Sequence, residues 1–158
     1  MAVRTLGEDE IELYKSVRLR ALATNPEAFG SNHVRESAFD DETWRSRLRG
    51  FAGRPGVVMV DDVDDGRVAG IVGVGQWEQP YETIIWGMWV DPAHRRRGVA
   101  QRLLAAALDW ARDNSYRTVM LHVLDGNDAA HRLYVDAGFA GTERSEEGEL
   151  VLRLDLLA

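Results

Sequence analysis

The chain has 158 residues, 45% of them hydrophobic and 28% charged, a formal net charge of −7 and no cysteine. This length suits one domain with its own core, and the composition excludes a disordered or membrane-embedded chain. The acidic balance argues against non-specific binding of nucleic acid, and the lack of cysteine excludes disulfides, thiolate metal sites and a covalent cysteine intermediate.

The chain shows no targeting or metal-binding pattern. Its first residues lack the apolar segment of a signal peptide, and no run reaches the eighteen or so apolar residues of a membrane span. The four histidines have no metal-ligand spacing: His33, His94, His122 and His131. We therefore expect a cytoplasmic protein with one domain over residues 1–158, no metal, and neither membrane nor nucleic acid as a partner.

The first half of the chain mixes short strands with helical segments. Apolar spacing predicts a helix after the first strand, and Asn25-Pro26 ends it because proline cannot continue a helix. Three glycines in a later strand, Gly70, Gly73 and Gly75, predict a bulge or a close backbone approach. The predicted elements are strand 2–6, helix 8–22, a loop over 27–37, helix 40–49, strand 57–60, a polar turn over 61–66 and strand 67–77.

The stretch from Ile84 to Asn114 carries the clearest functional pattern of the chain. An apolar strand over 84–90 is stopped by Asp91-Pro92, and a basic turn over 95–100 leads into a helix that has one apolar face. A helix N-terminus carries free N–H groups and the positive end of the helix dipole. Strand, basic glycine turn and helix together indicate an anion-binding site.

The last elements complete a mixed α/β sheet. Residues 117–124 alternate as a strand does, a helix begins after Asn127 and ends at Gly138, and residues 139–143 and 150–156 predict a terminal hairpin. Asn127 and Tyr134 are seven residues apart, which places them on one face of that helix. The predicted order is β-α-α-β-β-β-α-β-α-β-β.

Two blocks of the sequence resemble a known family. Arg95-x-x-Gly98-x-Ala100 after Val90-Asp91-Pro92 resembles the acetyl-CoA signature of the GCN5-related N-acetyltransferases. Asn127-x-x-Ala130-x-x-x-Tyr134, followed by Gly138-Phe139, resembles that family's second block, most closely in the ribosomal-protein alanine N-acetyltransferases. The resemblance implies the family's fold, with a splayed pair of central strands, and acetyl-CoA as co-substrate.

The resemblance also implies which residues hold the cofactor. The turn and the start of its helix would bind the pyrophosphate through backbone N–H groups, with added charge from the arginines. The central strand would bind the pantetheine arm through its backbone, and Asn127, which could equally cap its helix, would bind the same arm. The expected cofactor residues are Met88, Trp89, Val90, Arg95, Arg96, Arg97, Gly98, Val99, Ala100, Gln101, Asn127 and Tyr134.

Tyr134 is the expected general acid, because a tyrosine is protonated at neutral pH and can protonate a departing thiolate. The general base is open. The ribosomal-protein enzymes carry a glutamate where this chain has His122, a plausible base, and Glu82 and Glu78 are the other candidates. In related enzymes the helical region that ends near residue 49 commonly lies over the acceptor site, so Phe29, Ser31 and Glu36 are expected acceptor contacts, although Phe29 could instead be core. Glu78, near the start of the central strand, is a further expected acceptor contact.

These expectations define an acetyl-CoA-dependent N-acetyltransferase in which an amine attacks the thioester directly. The alternative is a non-catalytic CoA-binding sensor or partner domain with the same fold. The sequence leaves the acceptor open among a protein N-terminus, a lysine and a small-molecule amine. It also leaves oligomeric state open, although homodimers are frequent in the family.

Overall fold

The computed structural model of the chain describes residues 2–62 and 67–157, in which six strands form one sheet. The strands lie in the sheet in chain order, and neighbours run antiparallel except for the fourth and fifth, which are parallel. They are β1 (Ala2–Thr5), β2 (Gly56–Asp62), β3 (Val68–Gln76), β4 (Glu82–Val90), β5 (Thr118–Val123) and β6 (Leu150–Asp155).

Helices cover both faces of the sheet. They are α1 (Ile11–Thr24), α2 (His33–Ser37), α3 (Asp41–Arg47), α4 (Val99–Asp113) and α5 (Asp128–Asp136). Strand residues alternate between two cores: Val58 and Val60 pack with α1 and α3, whereas Met59 packs with α4 on the other face. None of the helices that the described residues form has both the length and the apolar character needed to cross a membrane.

The pairing of β4 changes along its length. Ile71 lies opposite Trp89 and Gly73 opposite Trp86, so β4 holds one more residue than β3 in this interval, and Gly87 has a φ of 64° there. On the other side, β4 pairs with β5 only from Glu82 to Ile84. Beyond that point the two parallel strands part, which is the splay that the resemblance implies.

Glycines in β3 allow a close approach, as their spacing predicts. A Cβ on Gly73 would lie 2.1 Å from the Trp86 ring, so only glycine lets that indole cross the strand. A Cβ on Gly70 would likewise lie 2.8 Å from the Trp89 carbonyl oxygen. The bulge itself lies in β4.

The N-terminal half departs from prediction in three places. Residues 8–10 form a 3₁₀ turn ahead of α1, and α3 is shorter than predicted, since Asp40 caps it from outside and the helix ends at Arg47. The predicted loop over 27–37 contains α2, because Asn32 accepts a hydrogen bond from the Arg35 N–H at 2.8 Å and so starts a helix. Most of the turn predicted over 61–66 lies outside the described residues.

The predicted terminal hairpin is wrong in its first strand. Residues 139–144 contact β6 through two isolated bridges, Ala140 with Arg153 and Arg144 with Leu150. From the first bridge to the second, the chain advances four residues from Ala140 to Arg144, while β6 advances only three from Leu150 to Arg153. A regular ladder of hydrogen bonds therefore cannot continue between the two segments. A Cβ on Gly141 would lie 2.3 Å from the Val151 carbonyl, which shows how closely the two segments approach.

Candidate active site

A groove of about 840 Å³ lies where β4 and β5 part. Leu121 and Val123, which face the α4 side of the sheet, line it together with His122, which faces the opposite side. The groove therefore passes through the sheet between the two strands. Its volume is within the range of clefts that hold cofactors and small substrates.

One end of the groove is the basic turn before α4. Arg96 and Gly98 both adopt left-handed backbone conformations, with φ of 64° and 74°, and α4 begins directly afterwards at Val99. Among the described residues no side chain caps this helix, so the N–H groups of its first turn are free for a ligand. This geometry fits a diphosphate, which binds N–H groups at the positive end of a helix.

The three arginines of the turn differ in role. Arg95 donates from Nη2 to the Asn25 Oδ1 at 2.9 Å and from Nε to the Val90 carbonyl at 3.2 Å. Arg95 and Arg96 line the groove, together with Gly98, Val99, Ala100 and Gln101. Arg97 does not line the groove. Its carbonyl accepts a hydrogen bond from Nη1 of Arg102 at 2.8 Å. The structure thus brings all but one of the predicted turn residues to the groove.

Asn25 is a groove residue that the sequence reasoning missed. Its Oδ1 accepts hydrogen bonds from Trp89 Nε1 at 3.0 Å and from Arg95 Nη2, which ties the end of α1 to β4 and to the basic turn. The sequence offered only Asn25-Pro26, a pattern that signals a helix end. His94, a buried neighbour of the turn, also lines the groove and was likewise not singled out as a binding residue.

The open edge of β4 forms one wall. Met88, Trp89 and Val90 line the groove, and beyond Ile84 their strand has no β5 partner, so backbone groups on that edge are available to a ligand. Two tryptophans of β4, Trp86 and Trp89, line the groove but differ in burial. The Trp89 side chain packs in the core beside α1 and the residue is 4% exposed, whereas Trp86 is half-buried.

Helix α5 supplies the opposite wall. Asn127 and Tyr134 both line the groove, as their seven-residue spacing predicts. Asn127 Oδ1 accepts a hydrogen bond from the Ala130 N–H at 3.3 Å, so it does cap the helix while it lies at the groove. Tyr134 is 6% exposed and packs against Phe139, and this burial raises the pKa of its phenol. Tyr134 is therefore held in its protonated form.

The three candidate bases lie in different places. His122 lines the groove, and its Nδ1 is 3.7 Å from Oε1 of Glu149. Glu82 is buried at the paired end of β4, 3.6 Å from Arg153, and Glu78 is exposed in the turn between β3 and β4. Neither glutamate lines the groove.

The predicted acceptor segment is only partly at the groove. Phe29 lines it, but Ser31 and Glu36 do not. Glu36 is fully buried and accepts hydrogen bonds from Arg18 and Arg47. Burial alone would raise the pKa of Glu36, but the bonds from Arg18 and the charge of Arg47 lower it to about 2.

The sequence matches the model of one protein family, described as "Acetyltransferase (GNAT) family", over residues 18–139. The chain belongs to that family. This confirms the resemblance seen in the two sequence blocks, and it supports acetyl-CoA as the acetyl donor and an amine as the acceptor. Within the described residues no cluster of three or more histidine, aspartate or glutamate side chains could hold a metal ion.

Individual proteins add to this assignment. The N-alpha-acetyltransferase RimI of Mycobacterium tuberculosis is 38% identical over 76 residues, which are 47% of this chain and 46% of RimI. The N-acetylaspartate synthetase of Rattus norvegicus is 34% identical over 85 residues, 54% of this chain and 28% of the synthetase. The matches thus span less than half the length of these curated relatives.

Among solved structures, yncA of Salmonella typhimurium, determined with its cofactor acetyl-CoA, superposes with a TM-score of 0.76 at 21% identity. The superposition covers 99% of this chain and 94% of yncA. At that identity the likeness establishes the shared fold.

Proposed function

We propose that this protein transfers the acetyl group of acetyl-CoA to a primary amine by direct attack of the amine. The observation that carries the proposal is the single groove in which the uncapped N-terminus of α4, the open edge of β4, His122 and Tyr134 meet. A site for a diphosphate and two groups able to move protons thereby share one cavity. Bound acetyl-CoA would supply the reactive thioester.

The cofactor contacts follow from the groove's walls. The N–H groups of Gly98, Val99 and Ala100 bind the pyrophosphate, and the guanidinium of Arg96 adds charge beside it. Backbone groups of Met88 to Val90 bind the pantetheine arm along the open strand edge, and Asn127 contacts it from α5. A strand N–H on this edge also stabilises the charge that develops on the thioester oxygen.

Two side chains manage the protons. His122 takes the proton that the acceptor nitrogen loses as it bonds to the acetyl carbon, directly or through a water molecule. Tyr134 donates its phenolic proton to the sulfur as the carbon–sulfur bond breaks, and its burial keeps it protonated for this step. Because His122 lines the groove and the two glutamates do not, it is preferred as base over Glu82 and Glu78.

A screen for release of free CoA thiol tests the proposal. Acetyl-CoA is incubated with the protein and a panel of amines that spans peptides with free N-termini, lysine peptides, amino acids and polyamines. We expect thiol release that depends on one acceptor class and exceeds the rate without acceptor. Binding of acetyl-CoA with no release for any amine would contradict the proposal and favour the non-catalytic sensor. A cytoplasmic location stays a prediction, and the identity of the acceptor and the oligomeric state stay open.

A further inference from the structure

A buried ion cluster joins α1, α2 and α3 beside the groove. Arg18 donates from Nε to Oε1 of Glu36 at 2.9 Å and from Nη2 to Oε2 at 3.0 Å, and Arg47 Nη1 donates to the same Oε1 at 2.9 Å. The side chains of Arg18 and Glu36 are 9% and 0% exposed. Since two arginines share one carboxylate, the cluster has surplus positive charge. Across residues 2–62 and 67–157 no second carboxylate pairs with either arginine.

The remaining nitrogen of Arg18 lies behind the groove wall, because Arg18 is not itself among the residues that line the groove. Its Nη1 has no hydrogen-bond partner within the part of the chain that the structure describes, and it is 3.1 Å from the position that a Cβ on Gly87 would take. The guanidinium carbon is 4.9 Å from the centroid of the Phe29 ring and 6.0 Å from that of Trp86. Phe29, Trp86 and Gly87 all line the groove, so the guanidinium of Arg18 sits against residues of the wall, and Gly87, which has no side chain, leaves Nη1 within reach of a ligand.

This placement favours a negatively charged ligand. A buried cation with surplus charge gains most from an anion that both neutralises it and accepts its free N–H groups. The flat guanidinium lies near two aromatic rings and is held in place by Glu36, so it is preorganised for a carboxylate. A neutral peptide carbonyl would accept the hydrogen bonds but would leave the surplus charge unbalanced.

We propose that the acceptor amine carries a carboxylate close to its reactive nitrogen, as a free amino acid does, and that Arg18 binds this carboxylate through Nη1. Gly87 lies in the bulge of β4, next to the open edge where the thioester would lie, so a carboxylate on Arg18 would be near the reacting nitrogen. The inference rests on the proposed acetyl transfer and names its substrate class.

Matched acceptors test the substrate class on the unmodified protein. Each free amino acid of a panel is compared with its α-carboxamide, which has the same side chain and an amine that is the weaker base. More of the amide's amine is deprotonated at neutral pH, so a preference for the acid cannot come from amine availability. We expect kcat/KM for the best amino acid to exceed that of its amide by about tenfold to a hundredfold.

Three other outcomes are decisive. Equal or faster acetylation of the amide, or acetylation confined to peptide N-termini or polyamines, would overturn the carboxylate proposal and leave acetyl transfer intact. Failure of every amine to release thiol would instead remove the proposed function itself.

A pair of variants tests Arg18. Arg18→Lys keeps a positive charge beside Glu36 but removes Nη1, whereas Arg47→Lys perturbs the same glutamate from the side of Phe39 and Trp44, away from Gly87. The acid-to-amide ratio of kcat/KM does not depend on how much protein is folded. We expect that ratio to approach one in Arg18→Lys and to keep its wild-type value in Arg47→Lys. An unchanged ratio in Arg18→Lys, or an equal fall in both variants, would overturn the proposal, and if Arg18→Lys does not fold, the acceptor pairs decide alone.

Discussion

At the proposed phosphate end of the groove the binding groups are consecutive, because residues 95–100 turn the chain and α4 follows at once. At the proposed acceptor end the groups come from separate parts of the chain. Arg18 belongs to α1, Phe29 to the segment after α1, Trp86 to β4 and His122 to β5. The first end is made mainly of backbone N–H groups, and the second is made of side chains.

This difference explains why the donor can be assigned more firmly than the acceptor. A backbone site depends on local conformation, such as the left-handed φ of Gly98, and many side chains could surround it. A side-chain site changes its chemistry with each substitution, even when the fold is retained. Experiments that change one end of the groove and leave the other intact therefore test whether the two ends have these separate roles.

The two ends meet at Tyr134, where a change should separate turnover from binding. Tyr134→Phe keeps the packing against Phe139 and removes only the hydroxyl. We expect kcat to fall by about a hundredfold or more, the size of a lost general acid, while the Kd for acetyl-CoA changes by less than about twofold. Steady-state kinetics and isothermal titration measure the two quantities.

Tyr116→Phe is the matched control, because Tyr116 is also buried but does not line the groove. Its hydroxyl donates a hydrogen bond to Oε1 of Gln76 at 3.0 Å. Its turnover should stay near wild type. Wild-type turnover in Tyr134→Phe itself would remove this residue from the mechanism.

Gly98→Asp addresses the phosphate end. The new side chain strains a backbone with φ of 74° and places a carboxylate where the diphosphate binds, so we expect acetyl-CoA to bind about a hundredfold more weakly. Gly53→Asp is the control, since Gly53 has a φ of 75° and nothing within 4 Å of a new Cβ. An equal loss of affinity in both variants would attribute the effect to backbone strain and contradict a phosphate site at this turn.

Glu36→Gln addresses the acceptor end through stability. It leaves the buried Arg18 and the partly buried Arg47 without their counter-ion, so the free energy of unfolding at pH 7 should fall by about 3 kcal/mol. Because the folded-state pKa of Glu36 is lowered to about 2, its contribution is present above the unfolded pKa of about 4.3 and is lost as the pH falls towards 2.

Urea unfolding at several pH values between 7 and 3 measures both effects. The wild type should lose stability over this acidic range more steeply than Glu36→Gln. Glu42→Gln, which removes an exposed partner of Arg45 and Arg49, should leave the free energy of unfolding close to that of the wild type. Parallel acid profiles for wild type and Glu36→Gln would show that the cluster does not hold Glu36 ionised.

The sequence predicted the elements whose signals are local. The helical face that joins Asn127 to Tyr134 needs only a seven-residue spacing, and the basic turn needs only consecutive residues. The bulged, splayed β4 followed from family resemblance, because no pattern within the strand itself specifies where pairing with β5 stops.

The rest depended on contacts between distant residues. Asn25 joins Trp89 and Arg95, which are 64 and 70 residues away, and nothing in Asn25-Pro26 indicates either bond. Glu36 faces Arg18 and Arg47 in the core, so a residue expected at the acceptor became the anchor of an arginine. The prediction of the first strand of the terminal hairpin was wrong, because the segment 140–144 has one residue more than the part of β6 it faces. This mismatch is visible only once the two segments are paired.

A crystal structure with coenzyme A tests the central claim most directly. It should show the pyrophosphate oxygens within hydrogen-bond distance of the N–H groups of Gly98, Val99 and Ala100, with the pantetheine arm between β4 and β5 and its sulfur near Tyr134. A nucleotide bound elsewhere, with the turn before α4 making no contact to it, would contradict the account.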